Sequence, residues 1–90
     1  MAWSVYILKC ADDTLYTGVT TDVERRVAEH NAVKGRGAKY TRARQPVVLF
    51  YSESHPDRST AQIREAAIKK LSRAEKVALQ PKRRTRQKAN

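Results

Sequence analysis

Leu15-Tyr16-Thr17-Gly18-Val19-Thr20-Thr21-Asp22-Val23-Glu24-Arg25-Arg26-Val27-Ala28-Glu29-His30-Asn31 changes its pattern partway along. Its first six residues alternate, with Leu15, Thr17 and Val19 on one side and Tyr16, Gly18 and Thr20 on the other, the period of a strand. Thr21-Asp22-Val23-Glu24 then has the spacing of a capping box, which predicts a helix running to about Asn31. Upstream, Trp3, Val5 and Ile7 alternate with Ser4, Tyr6 and Leu8, and the Asp12-Asp13 turn signal makes the two strands a hairpin. If Trp3, Val5, Ile7, Leu15 and Val19 share one core, odd residues pair with odd residues. The loop then holds an odd number, three around Asp12. One such register sets Tyr6 opposite Gly18 and Leu8 opposite Tyr16. The two tyrosines become diagonal neighbours, roughly 7–8 Å apart at their α-carbons and within reach of one shared ligand. Gly18 is expected to leave an opening beside the Tyr6 ring. An aromatic pair that only covers the second sheet face would explain the hairpin equally.

Outward from this unit, residues 32–45 hold two glycines and read as a loop ended by Pro46. Val47-Val48-Leu49-Phe50-Tyr51 predicts a third strand, rich in β-formers and expected to be buried. His55-Pro56-Asp57 breaks it. Ser59-Thr60-Ala61-Gln62 is a second capping box, after which Ile63, Ala67 and Leu71 are expected to form the buried seam of a helix. Ser72-Arg73-Ala74-Glu75 is a third box, opening a short helix that Pro81 stops. Residues 81–90 show no apolar periodicity and read as a disordered basic tail beyond a folded domain of residues 1–80. The expected fold class is α+β: a small three-stranded antiparallel sheet flanked by helices, in the order β-β-α-β-α-α.

Ninety residues allow one modest hydrophobic core. No apolar run approaches the ~18 residues of a membrane span. The start of the chain lacks a basic stretch followed by an apolar one, so no signal peptide is expected. Cys10 is a lone cysteine, which excludes an internal disulfide framework and a thiolate zinc site. Cytoplasm is the expected compartment. The charge is the informative quantity: 19 Lys and Arg against 9 Asp and Glu give +10. Five basic residues (Lys34, Arg36, Lys39, Arg42, Arg44) fall in the loop and five more in the tail, with no acid in either run. Such an excess points to a polyanionic partner, nucleic acid above all. A solubilising surface is the plainer reading, and neither run has the interleaved apolar residues of a membrane-surface helix.

In the first helix, ~100° per residue makes Val23 and Val27 the buried stripe. Arg26 and His30 lie on its near edge, one turn apart, and Arg25 and Glu29 turn toward solvent. Two basic groups stacked in this way make poor surface design and good anion-site design. Val5-Tyr6-Ile7, Tyr16-Thr17-Gly18-Val19-Thr20 and Glu24 to Asn31 together resemble the motifs of the GIY-YIG nuclease superfamily. The resemblance continues through Tyr40-Thr41, Pro46 to Leu49, and Arg64-Glu65 to Ile68-Lys69, so it covers residues 3 to 79. It is greatest with the small stand-alone bacterial members. Ser4-Val5 stand where the name motif has Gly-Ile, and the late asparagine of many family nucleases has no equivalent that can be placed, Asn90 lying at the end of the tail.

The resemblance implies metal-dependent hydrolysis of phosphodiester bonds in DNA, with RNA left open as a substrate. Tyr6 and Tyr16 would position or deprotonate the attacking water. Arg26 would contact the scissile phosphate, as a guanidinium fork suits, with His30 beside it as a hydrogen-bond or proton-transfer partner. Glu65 would hold one divalent cation, Mg2+ or Mn2+. Read from the residues alone, Glu65 lies off the Ile63/Ala67/Leu71 seam and could simply pair with Lys69. Yet acids are scarce: Asp12 and Asp13 belong to a turn, Asp22 and Glu24 to a helix start, and Glu29 to the solvent side. One metal and one carboxylate are therefore expected. With no targeting module beyond the tail, activity is expected to be weak, non-specific or dependent on a partner protein. The alternatives are a non-catalytic nucleic-acid-binding module that keeps the phosphate-binding face, and a small basic protein of ribosomal type.

Overall fold

The computed structural model describes residues 2–32 and 44–79. Six elements follow in order: β1 (Trp3–Lys9), β2 (Leu15–Thr20), α1 (Val23–Asn31), β3 (Val48–His55), α2 (Arg58–Lys69) and α3 (Arg73–Ala78). The strands form one antiparallel sheet in the order β2-β1-β3, the α+β arrangement that the patterning predicts. The basic positions Lys34, Arg36, Lys39 and Arg42, and the tail, lie outside the described residues.

The hairpin register is one of those that odd-with-odd parity allows. Tyr6 pairs with Gly18 and Leu8 with Tyr16. Cys10 N donates to Thr14 O at 2.9 Å, which leaves residues 11–13 as the turn. Asp13 takes a positive φ of 71° there, a conformation that a short polar side chain tolerates. Asp12 Oδ1 accepts from the backbone N and hydroxyl of Thr14 at 3.2 and 2.6 Å, closing the turn locally.

Alternation divides the core between the sheet's two faces. Val5 and Ile7 meet Ala61 and Ile68 of α2, with Trp3, Leu15, Val19, Leu71 and Leu79 around them. Tyr6 and Leu8 point the other way, with Cys10, Val47, Tyr16 and Val27, on the side covered by α1.

Several local expectations are corrected. The cap of α1 is Asp22 rather than Thr21, its carboxylate accepting from Arg25 N at 3.0 Å. That of α2 is Asp57 rather than Ser59, accepting from Thr60 N at 2.9 Å. An ionised carboxylate at a helix start is favoured by the helix dipole as well as by the hydrogen bond. Only Ser72 and Glu75 make the full reciprocal box. The third strand is not deeply buried: it is an edge strand, and Val48 and Leu49 are 56% and 46% exposed. The deeply buried residue is Val47, just before it. The seam of α2 runs along Ala61 and Ile68, while Ile63 is 68% exposed and Ala67 is exposed. Small Ala61 lets the helix lie close to the sheet. Arg64 fixes its rotation by donating from Nε to Glu53 of β3 at 3.1 and 3.3 Å.

Candidate active site

On the α1 face, the rings of Tyr6, Tyr16 and His30 form one cluster. Their centroids are 6.5 Å apart for Tyr6–Tyr16, 6.0 Å for Tyr6–His30 and 5.3 Å for Tyr16–His30. The diagonal placement in the hairpin brings the tyrosines together, and α1, folding back over the sheet, adds the histidine. Tyr6 Oη lies 3.0 Å from His30 Nε2, a hydrogen bond with both side chains buried.

Gly18 has a different purpose from the expected ligand opening. A Cβ there would stand 2.5 Å from Tyr6 Oη and 2.7 Å from Cζ. The Tyr6 ring itself lies across the glycine, so the missing side chain makes room for the phenol. Because β2 is an edge strand, this carries the Tyr6 hydroxyl toward the rim of the sheet.

The buried residue of α1 is His30, not Val23 or Val27, which are half-buried. Arg26 is one turn earlier, half-buried and within hydrogen-bonding reach of the Tyr6 hydroxyl. Its Nη1 donates to Glu29 Oε1 at 3.0 Å. Glu29 was expected to face solvent. Instead it bends back to Arg26 and is only 24% exposed, whereas Arg25 is 59% exposed. Burial opposes the charge on Arg26, but hydrogen bonds to Tyr6 and Glu29 outweigh it and raise the guanidinium above its ordinary value.

Burial pushes the Tyr6 phenol up, against the pull of Arg26 and with smaller pushes from Tyr16 and Glu65. His30 goes the other way. Burial, then the neighbouring Arg26 charge, lower it from 6.5 to about 4 despite Glu29. At neutral pH the pair is therefore a neutral phenol on a neutral imidazole. With the imidazole lone pair on Nε2, Tyr6 donates and His30 accepts.

Glu65 comes from α2, on the other face. Its charge is the smallest of the influences that raise the Tyr6 phenol. The corrected helix rotation sets it beside the buried seam, with its side chain 22% exposed and an oxygen 3.3 Å from Lys69 Nζ. The surface pair anticipated for it is thus present in a half-buried position. Arg44, the described member of the basic loop run, is elsewhere: its Nε donates to Asp12 at 2.9 Å by the hairpin turn.

A clamp behind His30 escaped sequence reading. The Asn31 side chain donates to Val47 O at 2.9 Å and accepts from Val47 N at 2.7 Å. Gln45 Nε2 donates to His30 O at 2.6 Å and to Ala32 O at 3.0 Å. Gln45 thus satisfies carbonyls at the end of α1, while Asn31 ties that end to the backbone of Val47. The available signal was an amide side chain directly after the histidine at a helix end; its partner lies 16 residues away.

Residues 2–78 match the family model of the GIY-YIG catalytic domain. A UPF0213 protein of Halobacterium salinarum is 61% identical over 75 residues, covering 83% of this chain and 95% of its relative. One from Desulfotalea psychrophila is 56% identical over 78 residues, covering 87% and 70%. The solution NMR structure of a Bacillus halodurans UPF0213 protein aligns with a TM-score of 0.55 at 46% identity, over 88% of this chain and 82% of that one.

Proposed function

The chain belongs to the GIY-YIG catalytic domain family, and on that premise we propose that it hydrolyses phosphodiester bonds in DNA using one divalent cation, Mg2+ or Mn2+. The family implies a nuclease-like domain and a nucleic-acid substrate; DNA, the metal and the residue roles are the proposal. The observation that carries it is the buried Tyr6 hydroxyl, bonded to neutral His30 and within hydrogen-bonding reach of Arg26. A core has no need of that arrangement, since leucine-sized groups would fill the space without desolvating three polar heads.

The donor set fits a hard cation held lightly by protein. Among the described residues no three His, Cys, Asp or Glu side chains converge. A Mg2+-like ion, however, keeps most of its waters and uses one or two carboxylates together with substrate phosphate. Glu65 would be that carboxylate. When bound, the cation would polarise the phosphate and stabilise charge on the leaving oxygen.

The chain's own residues do the rest. Arg26 meets the scissile phosphate with a planar fork and stabilises the charge that builds on it. Tyr6 accepts a proton from the attacking water on Oη while its own proton passes to His30 Nε2. The products of this step are hydroxide at phosphorus, an intact phenol and an imidazolium. The low basicity of His30 opposes the transfer, and a phosphate anion arriving opposite Arg26 offsets that by favouring imidazolium. Tyr16 packs beside both rings and holds the water's position.

Supercoiled, single-stranded and branched DNA, and an RNA control, incubated with Mg2+, Mn2+ or EDTA, test the reading. Metal-dependent cleavage that Glu65→Gln lowers by orders of magnitude is expected. The Glu65–Lys69 and Arg26–Glu29 ion pairs favour a second reading, a binding module without turnover. Binding without cleavage on every substrate would establish it.

A further inference from the structure

One buried group takes no part in this scheme. Thr17 is 4% exposed, and its hydroxyl has no hydrogen-bond partner among the described residues. A buried hydroxyl that makes no hydrogen bond destabilises the fold, because its desolvation is not offset. Valine has the same shape without that penalty, and its neighbours on the same side of β2 are Leu15 and Val19, both apolar.

The direction of this hydroxyl follows from the register. Thr17 pairs with Ile7, so it points to the α2 face. The phase of α2 then says what lies above it. At about 100° per residue, Ala61 and Ile68 define one line, and Arg64 and Glu65 flank it by about 50° on opposite sides. Arg64 reaches Glu53 on β3, one edge of the sheet. Glu65 must therefore overhang the other edge, which is β2, and α2 does pack on β2. Thr17 sits on that strand, beneath the Glu65 flank.

We propose that Thr17 is a positioning residue for Glu65: its hydroxyl donates to the carboxylate when Glu65 leaves Lys69 to bind a divalent cation. This rests on the reading of Glu65 as the metal ligand. A carboxylate that gives one oxygen to a cation keeps a second oxygen, and a fixed donor to it sets the orientation of the whole group. The hydroxyl left unpaired while Glu65 is held by Lys69 is then satisfied in the bound state. The edge strand thus supplies Tyr16 and Gly18 to one face of the site and Thr17 to the other.

The test uses the full chain, melted in EDTA and titrated with Mn2+ in the absence of DNA. Thr17→Val should melt at a higher temperature than wild type in EDTA, since an unsatisfied hydroxyl is gone. It should also bind Mn2+ about 10-fold more weakly, the scale of lost outer-shell partners. Thr17→Ser should restore Mn2+ affinity. Glu65→Gln should lose it. A purely structural threonine cannot move stability and metal affinity in opposite directions. Wild-type Mn2+ affinity in Thr17→Val, with Glu65→Gln defective, would overturn the role of Thr17 and leave Glu65 in place. So would a Thr17→Val protein that melts lower than wild type. Undiminished Mn2+ binding in Glu65→Gln would remove the metal reading and the positioning role with it.

Discussion

The two faces of the sheet solve the same packing problem with different residues. On the α2 side the core is Val5, Ile7, Ala61 and Ile68, with Thr17 a buried polar side chain among aliphatic ones. On the α1 side the buried set includes Tyr6, Cys10 and His30, and the half-buried shell adds Arg26 and Tyr16. The first face gains free energy from every buried methylene, about 0.8 kcal/mol each. The second gives part of that gain away to desolvate a phenol, an imidazole and a guanidinium. In so small a domain the α1 face can bear that cost because the α2 face buries mostly aliphatic groups.

The largest expected effect tests that division directly. Arg26→Ala should lower cleavage by about 10³-fold or more, roughly 4 kcal/mol of transition-state stabilisation. Circular dichroism should show the fold unchanged. Arg25→Ala, one residue away on the solvent side of α1, should stay within about twofold, since an exposed charge contributes well under 1 kcal/mol. Equal losses would mean that the site draws on a diffuse basic surface rather than on one oriented guanidinium.

Next is the aliphatic face. Ile68→Ala should remove about 2–5 kcal/mol of stability in urea titrations, while the rate per folded molecule is kept. A matching fall in that rate would show that the two faces are not separable.

His30 gives the third measurement. Its folded value of about 4 lies below the ordinary 6.5, so between those values the unfolded chain binds the extra proton. Stability should be complete above pH 6.5 and fall as pH drops toward 4, by up to about 3 kcal/mol. His30→Gln should flatten this part of the profile in denaturant midpoints taken at pH 7, 5.5 and 4.5. An unchanged acid limb in the variant would assign the loss to the carboxylates instead.

The smallest change is one methyl group. Gly18→Ala should cost about 1–3 kcal/mol as the Tyr6 ring is forced aside. It should lower cleavage more than its stability loss explains, because the Tyr6–His30 bond goes with the ring. A variant with normal cleavage would show that this bond is dispensable.

How far these features were legible in the sequence depended on range. Alternation at Trp3–Leu8 and Leu15–Thr20 constrained the hairpin by parity, and of the registers this allows the structure takes the one with Tyr6 opposite Gly18. The four-residue spacing of Arg26 and His30 put them on one side of a helix. What stayed hidden was the rotation of each helix against the sheet. Apolar spacing named Ile63, Ala67 and Leu71 as the α2 seam, but a helix with few large apolar residues offers several weak stripes. The choice fell to Ala61 and Ile68, with Arg64 anchored on Glu53 11 residues away.

By itself, then, the sequence determined the order of elements and the parity of the hairpin, because strand period, helix period and capping act between neighbours in the chain. Only the tertiary structure decided which register allowed by parity the hairpin takes, that Glu65 lies half-buried beside the α2 seam, that Asn31 clamps Val47, and that Thr17 is buried with its hydroxyl unpaired among the described residues. Each of these depends on how one element packs against another. Local periodicity fixes which side of an element is apolar, and only burial against a second element fixes which polar groups at its margin meet.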